Sequence, residues 1–410
     1  MMRSSHQHGE NKQTKIQEEQ ASVNTPEMQR VAQRLGHFST RLRTAHRSEI
    51  VDKKIALLGS TGFLGPWIAV ALLRLHPGSQ IICVNRRKGA ERQLFKATPS
   101  LLDDSFTLSR LQFHVIDVTD PRSQSGSALA SLISGVDEVV FNSWSTDWAA
   151  PLLAFEPFLE ALHYIIDLSG TDVGPPRITF ISSISAVGNW PIMHPQSSLI
   201  PEEVIDDMES ALPHGYGESK WVAEHMLGRA SKKLGLRVNI IRPGQIGGPA
   251  DAMLAKWPRQ GWLYLIIRES RKRKTFPANV QPLDWIPVDA LAQGIAETTK
   301  GETADKPLRV FNMVHTQPAD WDVLRTSLEQ ILGLSIRPVD LPRWLSRTDP
   351  QTNKLYGFLR SLGDGREQHM TFQNRRAAAV LPPLPKINEQ ILGKWMESWG
   401  LNNGSVRPRI

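Results

Sequence analysis

The chain has a single cysteine, Cys83, among 410 residues, which excludes a disulfide framework and a cysteine-rich metal site. Histidine and carboxylate clusters at metal-ligand spacing are missing as well. No stretch approaches the roughly 18 consecutive apolar residues of a membrane-spanning helix; the best, Trp67 to Leu75, is short and broken by Arg74. The amino terminus lacks an apolar signal core, and Glu10, Glu18, Glu19 and Glu27 are out of place in an acid-poor transit peptide. These absences predict a soluble protein, cytoplasmic by default, with no membrane partner. Helix-turn-helix punctuation, zinc-finger spacing and an aromatic RNA-recognition strand are also missing, so no nucleic-acid partner is expected. The formal net charge of +7 favours acidic partners without identifying one. Its densest run, Arg268 to Lys274, reads as a solvated loop or helix end, with a docking patch as the sharper alternative.

Hydrophobic residues make up 40% of the chain, enough to bury one large core or two modest ones. Residues 1–25 are polar and aperiodic, the composition of a disordered arm, and Pro26 to His46 has the pattern of one basic helix. From Lys53 onward short apolar runs alternate with longer helical ones. Residues 53–59, 81–85, 111–117, 138–142, 178–183 and 236–244 read as buried strands; FLGPWIAVALLRL, SALASLIS and FEPFLEALHYIIDLS between them read as helices. Strand, helix, strand repeated in this way predicts an α/β fold, a doubly wound parallel sheet covered on both faces. After Gln245 the pattern loosens into a Trp- and Pro-rich section, followed by a strand at 308–314, a helix from about Asp320 to Leu332 and a helical segment at 391–400. The expected division is an arm over 1–50, a sheet domain over 51–244, and over 245–410 a smaller mixed cap that closes a cleft and contributes the returning strand.

The first strand runs straight into GSTGFLG, with Gly59, Gly62 and Gly65 three residues apart at the opening of a helix. In a dinucleotide loop each glycine has its own job: a tight turn, close approach to the pyrophosphate, and packing of helix on strand. The helix amino terminus offers unpaired N–H groups to the phosphates. The expected cradle includes Thr61, Phe63 and Leu64 from the same loop. About twenty residues further on, an NAD site places an acid on the ribose 2′-hydroxyl. Here the second strand ends in VNRRKG instead. Arg86 and Arg87 suit a 2′-phosphate, so the expected cofactor is NADPH; the plainer alternative is a pair of solvent-exposed strand-end charges.

The segment HGYGESKWVAEHML, 214–227, puts a lysine where a helix of this pattern ought to be apolar. Tyr216, Lys220, Ala223, Leu227, Ala230 and Leu234 share one stripe that should face the core, and a lysine is rarely buried there unless something holds it. In a doubly wound sheet the ligand lies beyond the carboxyl ends of the strands, where this helix begins. A phenol titrates near 10; an adjacent ammonium is expected to lower that by about one to three units, making Tyr216 a usable general acid for a carbonyl oxygen receiving hydride. Lys220 would also hold the nicotinamide ribose. The preceding strand ends FISSISAVGNW, and one of Ser182, Ser183 and Ser185 should donate a second hydrogen bond to that oxygen. Ser183 sits best at the strand end.

Taken together, GSTGFLG, FNSW, SSIS, YGESKWVAE, RPGQIGGP and LDWIPVD resemble an extended short-chain dehydrogenase/reductase. They look most like the thioester reductase domains that end fungal nonribosomal-peptide-synthetase-like enzymes, alpha-aminoadipate reductases and carboxylic acid reductases. The resemblance runs from about Lys53 to Leu401, and FNMVHTQPADW and WMESWG are more specific to these reductases than the glycine loop is. It implies a Rossmann domain with a substrate-binding cap and NADPH as reductant. The substrate it implies is an acyl thioester on the phosphopantetheine arm of a carrier protein, from a synthetase or polyketide synthase of secondary metabolism. The product would be an aldehyde, reduced further to an alcohol in some members. By position, Ser183, Tyr216 and Lys220 match the catalytic triad. Gly59, Gly62, Gly65 and Arg86 match the cofactor site, with Arg87, Asp117 and Asn142 expected beside them. The strand-four motif usually begins with a histidine, whereas Phe141 precedes Asn142 here.

Such domains normally follow an adenylation domain and a carrier. No glycine-serine attachment site is recognisable, so the acyl group is expected to arrive in trans, on another protein, or as a small-molecule thioester or aldehyde. The alternative is an NADP-dependent reductase or dehydrogenase of a small free ketone or aldehyde, which shares the triad. The Lys256 to Trp262 region matches the thioester-reductase pattern. A cofactor-sensing regulator with a dead site would lack the tyrosine or the lysine, and both are present.

Overall fold

The structure is a computed structural model describing residues 22–38, 52–98, 109–121, 123–169, 175–197, 199–251, 257–278, 280, 282–300, 307–348, 359 and 370–401. Seven parallel strands form its central sheet: β1 Lys54–Leu58, β2 Gln80–Asn85, β3 Leu111–Val115, β4 Glu138–Phe141, β5 Arg177–Ile181, β6 Val238–Pro243 and β7 Leu308–Met313. Their order is β7-β6-β5-β4-β1-β2-β3. The chain starts in the middle, winds outward to β3, then returns across β4 and winds the other way. This order has its switch point between β1 and β4, where a crevice opens at the carboxyl ends. The inner strands are buried along their length because helices cover both faces. Edge strand β3 alternates instead, leaving Val115 more than half exposed.

One face carries α1 Thr25–Leu35, α4 Gln124–Ser134, α5 Glu156–Leu168 and α6 Gly215–Leu234; the other carries α2 Gly65–Leu75, α3 Ala90–Ala97 and α8 Val288–Glu297. A third buried cluster lies in the remaining segments around α7 Gly261–Arg273, α9 Asp322–Leu332 and α10 Glu389–Glu397. Tryptophan dominates it, with Trp257, Trp285, Trp321, Trp344, Trp395 and Trp399 all buried. Most of their indole N–H groups reach backbone carbonyls, as a buried indole requires: Trp395 donates to Pro249 at 2.8 Å and Trp399 to Trp257 at 2.9 Å. Phe63 of the glycine loop packs against this cluster, so the cradle and the cap share a wall.

Two expectations take a different form. The basic helix ends at Leu35 before Gly36 rather than running on to His46, and residues 39–50 lie outside the described residues, as do 1–21 of the arm. The run Arg268 to Lys274 is the end of α7, and half of it is engaged. Arg271 donates to the Leu401 carbonyl, while Arg273 donates to the Trp344 carbonyl and pairs with Glu269 at 3.0 Å. Lys272 and Lys274 remain exposed.

Candidate active site

Gly59 follows β1 at φ +86°, a conformation that a side chain would strain. Gly65 opens α2 so close to the loop that a β-carbon there would lie 2.4 Å from the Gly59 carbonyl oxygen. Gly62, between them, has nothing within 4 Å of the place where a side chain would begin. The loop is thus packed at both ends and open in the middle, where the amino terminus of α2 points. That is the shape a pyrophosphate needs. Asn142, just past β4, donates its amide to the Gly59 carbonyl at 2.8 Å, and buried Asn85 at the end of β2 donates to Ser60 at 2.7 Å. These two side chains brace the cradle. Leu64 is buried, Phe63 is partly buried, and Thr61 is half-exposed on the rim.

Arg86 and Arg87 follow β2, both exposed, and neither has a hydrogen-bond or ion-pair partner among the described residues. Arg87 also lines a cavity of about 440 Å³ with Arg92, Phe95, Phe113 and His114, at the β3 edge of the sheet and away from the tyrosine. Asp117, past β3, is turned onto Thr119, accepting from its hydroxyl at 2.6 Å and its amide at 3.0 Å.

The Tyr216 stripe lies on α6. His214 caps this helix, its Nδ1 accepting from the Gly217 amide at 3.1 Å. That bond leaves the ring proton on Nε2, and burial pushes the imidazole down to about 4, so it is neutral. Tyr216, Lys220, Ala223, Leu227 and Ala230 are buried as their spacing requires, and Leu234 is partly so. The end of β5 meets this stripe. Ser183 lies within hydrogen-bonding reach of the Tyr216 phenol. The Ser182 hydroxyl donates to Glu224 at 2.5 Å, while Ser183 donates to the Ser185 hydroxyl at 3.2 Å and accepts from the Ser185 amide at 3.1 Å.

The expected lowering of the Tyr216 pKa is not what the surroundings produce. Burial pushes the phenol up to about 12, and the nearby Ser183 hydroxyl opposes this only in part. The reason lies in where the lysine goes. Lys220 donates to the Ile181 carbonyl at 2.6 Å and sits over the Trp144 ring at 4.2 Å, with Phe180 at 4.7 Å and the Tyr216 ring at 5.6 Å. Wrapped in aromatic rings, the amine is itself pushed well below its ordinary value. The aromatic surround escaped the sequence reading. Trp148 stacks on Tyr216 at 4.9 Å and Phe155 meets it edge-on at 6.1 Å. Trp144 was visible in FNSW, but no periodicity marks a loop tryptophan as a site residue.

Residues 57–295 match the family described as male sterility protein, an NAD-binding family. The chain belongs to that family. It is 28% identical over 318 residues to a carboxylic acid reductase of Neurospora crassa, covering 75% of this chain and 30% of that protein. It is also 28% identical to 3-methylorcinaldehyde synthase of a Phoma species, covering 74% of this chain and 12% of that protein. The chain thus spans less than a third of the length of these curated relatives. Among solved structures, the terminal R domain of a myxalamid PKS-NRPS pathway superposes with a TM-score of 0.74 at 20% identity, covering 92% of this chain and 97% of that one. A thiolation-reductase di-domain from an archaeal nonribosomal peptide synthetase does so at 0.68 and 17% identity, covering 92% of this chain and 80% of that one. At these identities the likeness is one of fold: a Rossmann-type parallel sheet with flanking helices. No helix among the described residues is long and apolar enough to cross a membrane.

Proposed function

We propose that this protein is an NADPH-dependent reductase that converts an acyl thioester, carried on a phosphopantetheinylated carrier protein, to an aldehyde. The observation that carries the reading is the meeting of Ser183, Tyr216 and Lys220 at the carboxyl edge of the sheet, in a family that binds NAD-type cofactors. The names of the relatives, a carboxylic acid reductase and an aldehyde synthase, support the same product class.

The reaction balances as thioester plus reduced cofactor plus a proton, giving aldehyde, thiol and oxidised cofactor. Reduced nicotinamide supplies the hydride. The open middle of the glycine loop and the amino terminus of α2 would hold the pyrophosphate, and Arg86 and Arg87 the 2′-phosphate. Lys220 spends one N–H on Ile181 and would turn what remains to the ribose hydroxyls. Ser183 and Tyr216 would bind the thioester oxygen and stabilise the charge that develops there. A phenol near 12 is fully protonated at neutral pH. An alkoxide is more basic still, so Tyr216 can give up its proton without help from the lysine; the tyrosinate then takes the hydroxyl proton back as the carbonyl re-forms, and the carbon–sulfur bond breaks with the thiolate leaving and taking its proton from solvent. The aromatic rings around Tyr216 exclude water from the transfer.

The test is direct: incubate the protein with NADPH and one acyl group presented on a holo-carrier, on coenzyme A and on N-acetylcysteamine, and follow aldehyde by mass spectrometry. Aldehyde from a thioester supports the reading. Turnover of free ketones or aldehydes alone would replace it with the small-carbonyl reductase. Replacing Arg86 and Arg87 together by alanine should raise the KM for NADPH and leave NADH little changed. Equal use of both cofactors by the unmodified protein would remove the 2′-phosphate assignment.

A further inference from the structure

Three consecutive residues at the end of β5 hold three successive turns of α6. Ser183 lies near Tyr216, the Ile181 carbonyl accepts from Lys220 at 2.6 Å, and Ser182 donates to Glu224 at 2.5 Å. Tyr216, Lys220 and Glu224 are spaced by four, so all three lie on one face of the helix. The first two ties belong to the proposed reaction, and the third has no part in it so far. Glu224 is 2% exposed and faces Arg242 of β6, which is fully buried. The guanidinium reaches both carboxylate oxygens, at 2.6 Å from Nη2 and 3.0 Å from Nε. Arg242 then donates to the Glu203 and Pro201 carbonyls, and to Asn312 of β7, whose amide holds Ile200 and Gln373.

A buried ion pair is a poor way to attach a helix to a strand, because desolvation offsets most of the attraction and an apolar pair of similar volume is often as stable. Its position next to the reacting groups suggests another use. We propose that Glu224 is the positioning residue of this site: it fixes α6 in register on Ile181–Ser183 and supplies the negative charge that Lys220 feels along the helix. The other groups facing Lys220 are the rings of Trp144, Phe180 and Tyr216 and the Ile181 carbonyl, while the Arg242 charge is engaged by Glu224. Among the described residues, Glu224 is the carboxylate that raises the affinity of Lys220 for its proton, against the burial that lowers it.

The inference rests on the proposed reduction for its meaning, but it is tested without substrate. The Lys220 side-chain amine is followed by 15N NMR across pH in lysine-labelled protein, with the resonance assigned by Lys220→Met. In Glu224→Gln its midpoint should fall by about one pH unit or more, a tenfold change in proton affinity, and Glu224→Asp should restore most of it. Glu224→Gln leaves Arg242 buried without its partner and can fail to fold. The double variant Glu224→Gln/Arg242→Gln removes both charges and should show the same direction with a smaller shift. With an active thioester assay, the alkaline limb of kcat should move with the NMR midpoint. A Lys220 midpoint unchanged in both variants overturns the proposal and leaves the ion pair as packing. An unmodified protein that reduces no thioester would remove the proposed function, yet the NMR shift would still decide the Glu224–Lys220 link.

Discussion

Tyr216 and the neutral histidines give the sharpest predictions at the scale of the residue. Tyr216→Phe deletes one hydroxyl and almost no volume, so the fold and NADPH affinity should stay near those of the unmodified protein. General acid catalysis contributes a factor of about 100 to 10,000, and the turnover should fall by that much or more. A variant keeping more than about a tenth of the activity would put the proton donor elsewhere. Two buried histidines predict acid sensitivity. His76, whose Nε2 lies 2.7 Å from the Thr299 hydroxyl, is pushed down to about 4 by burial, aided by Lys53 and Lys300; His214 is pushed as far by burial. In the unfolded chain both take up protons near 6.5. Below that pH the unfolded state binds protons that the folded state refuses, so stability falls as pH drops from about 6.5 through about 4, and is unaffected above. Buried Glu138 and Glu218, raised by the same desolvation, work in the opposite direction. The measurement is therefore comparative: urea midpoints of the unmodified protein and His76→Gln across this window, in which the unmodified protein should lose ground to the variant as pH falls. Parallel curves would show that His76 titrates normally.

At the scale of the element, α1 lies before the stretch that matches the family, yet it packs on α6. Met28, Val31, Ala32 and Leu35, at helical spacing, are buried in the cluster that contains α5 and α6, and the Asn24 amide donates to Glu218 of α6 at 2.8 Å. Its outer face carries Arg30 and Arg34 against Glu156 and Glu160, pairs that are substantially exposed. Apolar truncation should therefore dominate: Met28→Ala should cost about 2–5 kcal/mol, and Arg34→Ala less than about 1 kcal/mol. Denaturant unfolding with activity read in parallel checks the order, and equal costs would mean that α1 is held by its charges. The sheet was legible from the chain alone, because strands buried on both faces must be continuous apolar runs and their crossovers amphipathic helices. The glycine loop and the 216–220 pair were legible for the same reason, since each breaks a local pattern that the fold would otherwise keep. What escaped depends on contacts distant in sequence. That Ser182 is turned to Glu224, some forty residues on, is one such contact. The raised pKa of Tyr216 follows from its burial under Trp148 and Phe155, which no spacing on α6 reveals.

At the scale of the whole molecule, the net charge of +7 bears on how a carrier would find the site. A thioester on a long arm needs only a brief encounter with the right face, and complementary charge raises the rate of such encounters more than their final affinity. The steering has to come from charges that are free to act at a distance. Arg271 and Arg273 are poor candidates, since they hold the Leu401 and Trp344 carbonyls, and replacing them would loosen the packing of α7. Lys272 and Lys274 are exposed at the end of the same helix, and the helix C-terminus orients cations there. With an acidic carrier as partner, kcat/KM for the carrier-bound acyl group should exceed that for the matching coenzyme A thioester. Raising ionic strength from about 0.05 M to about 0.5 M should erode that advantage, because the Debye length shrinks to a few ångströms over this range. Lys272→Gln with Lys274→Gln should lower the carrier-dependent rate in low salt, converge with the unmodified protein in high salt, and leave reduction of the N-acetylcysteamine thioester unchanged throughout. A carrier advantage insensitive to both salt and these lysines would mean that recognition is made by the arm inside the cleft, and the basic end of α7 would then be only a solvated helix terminus.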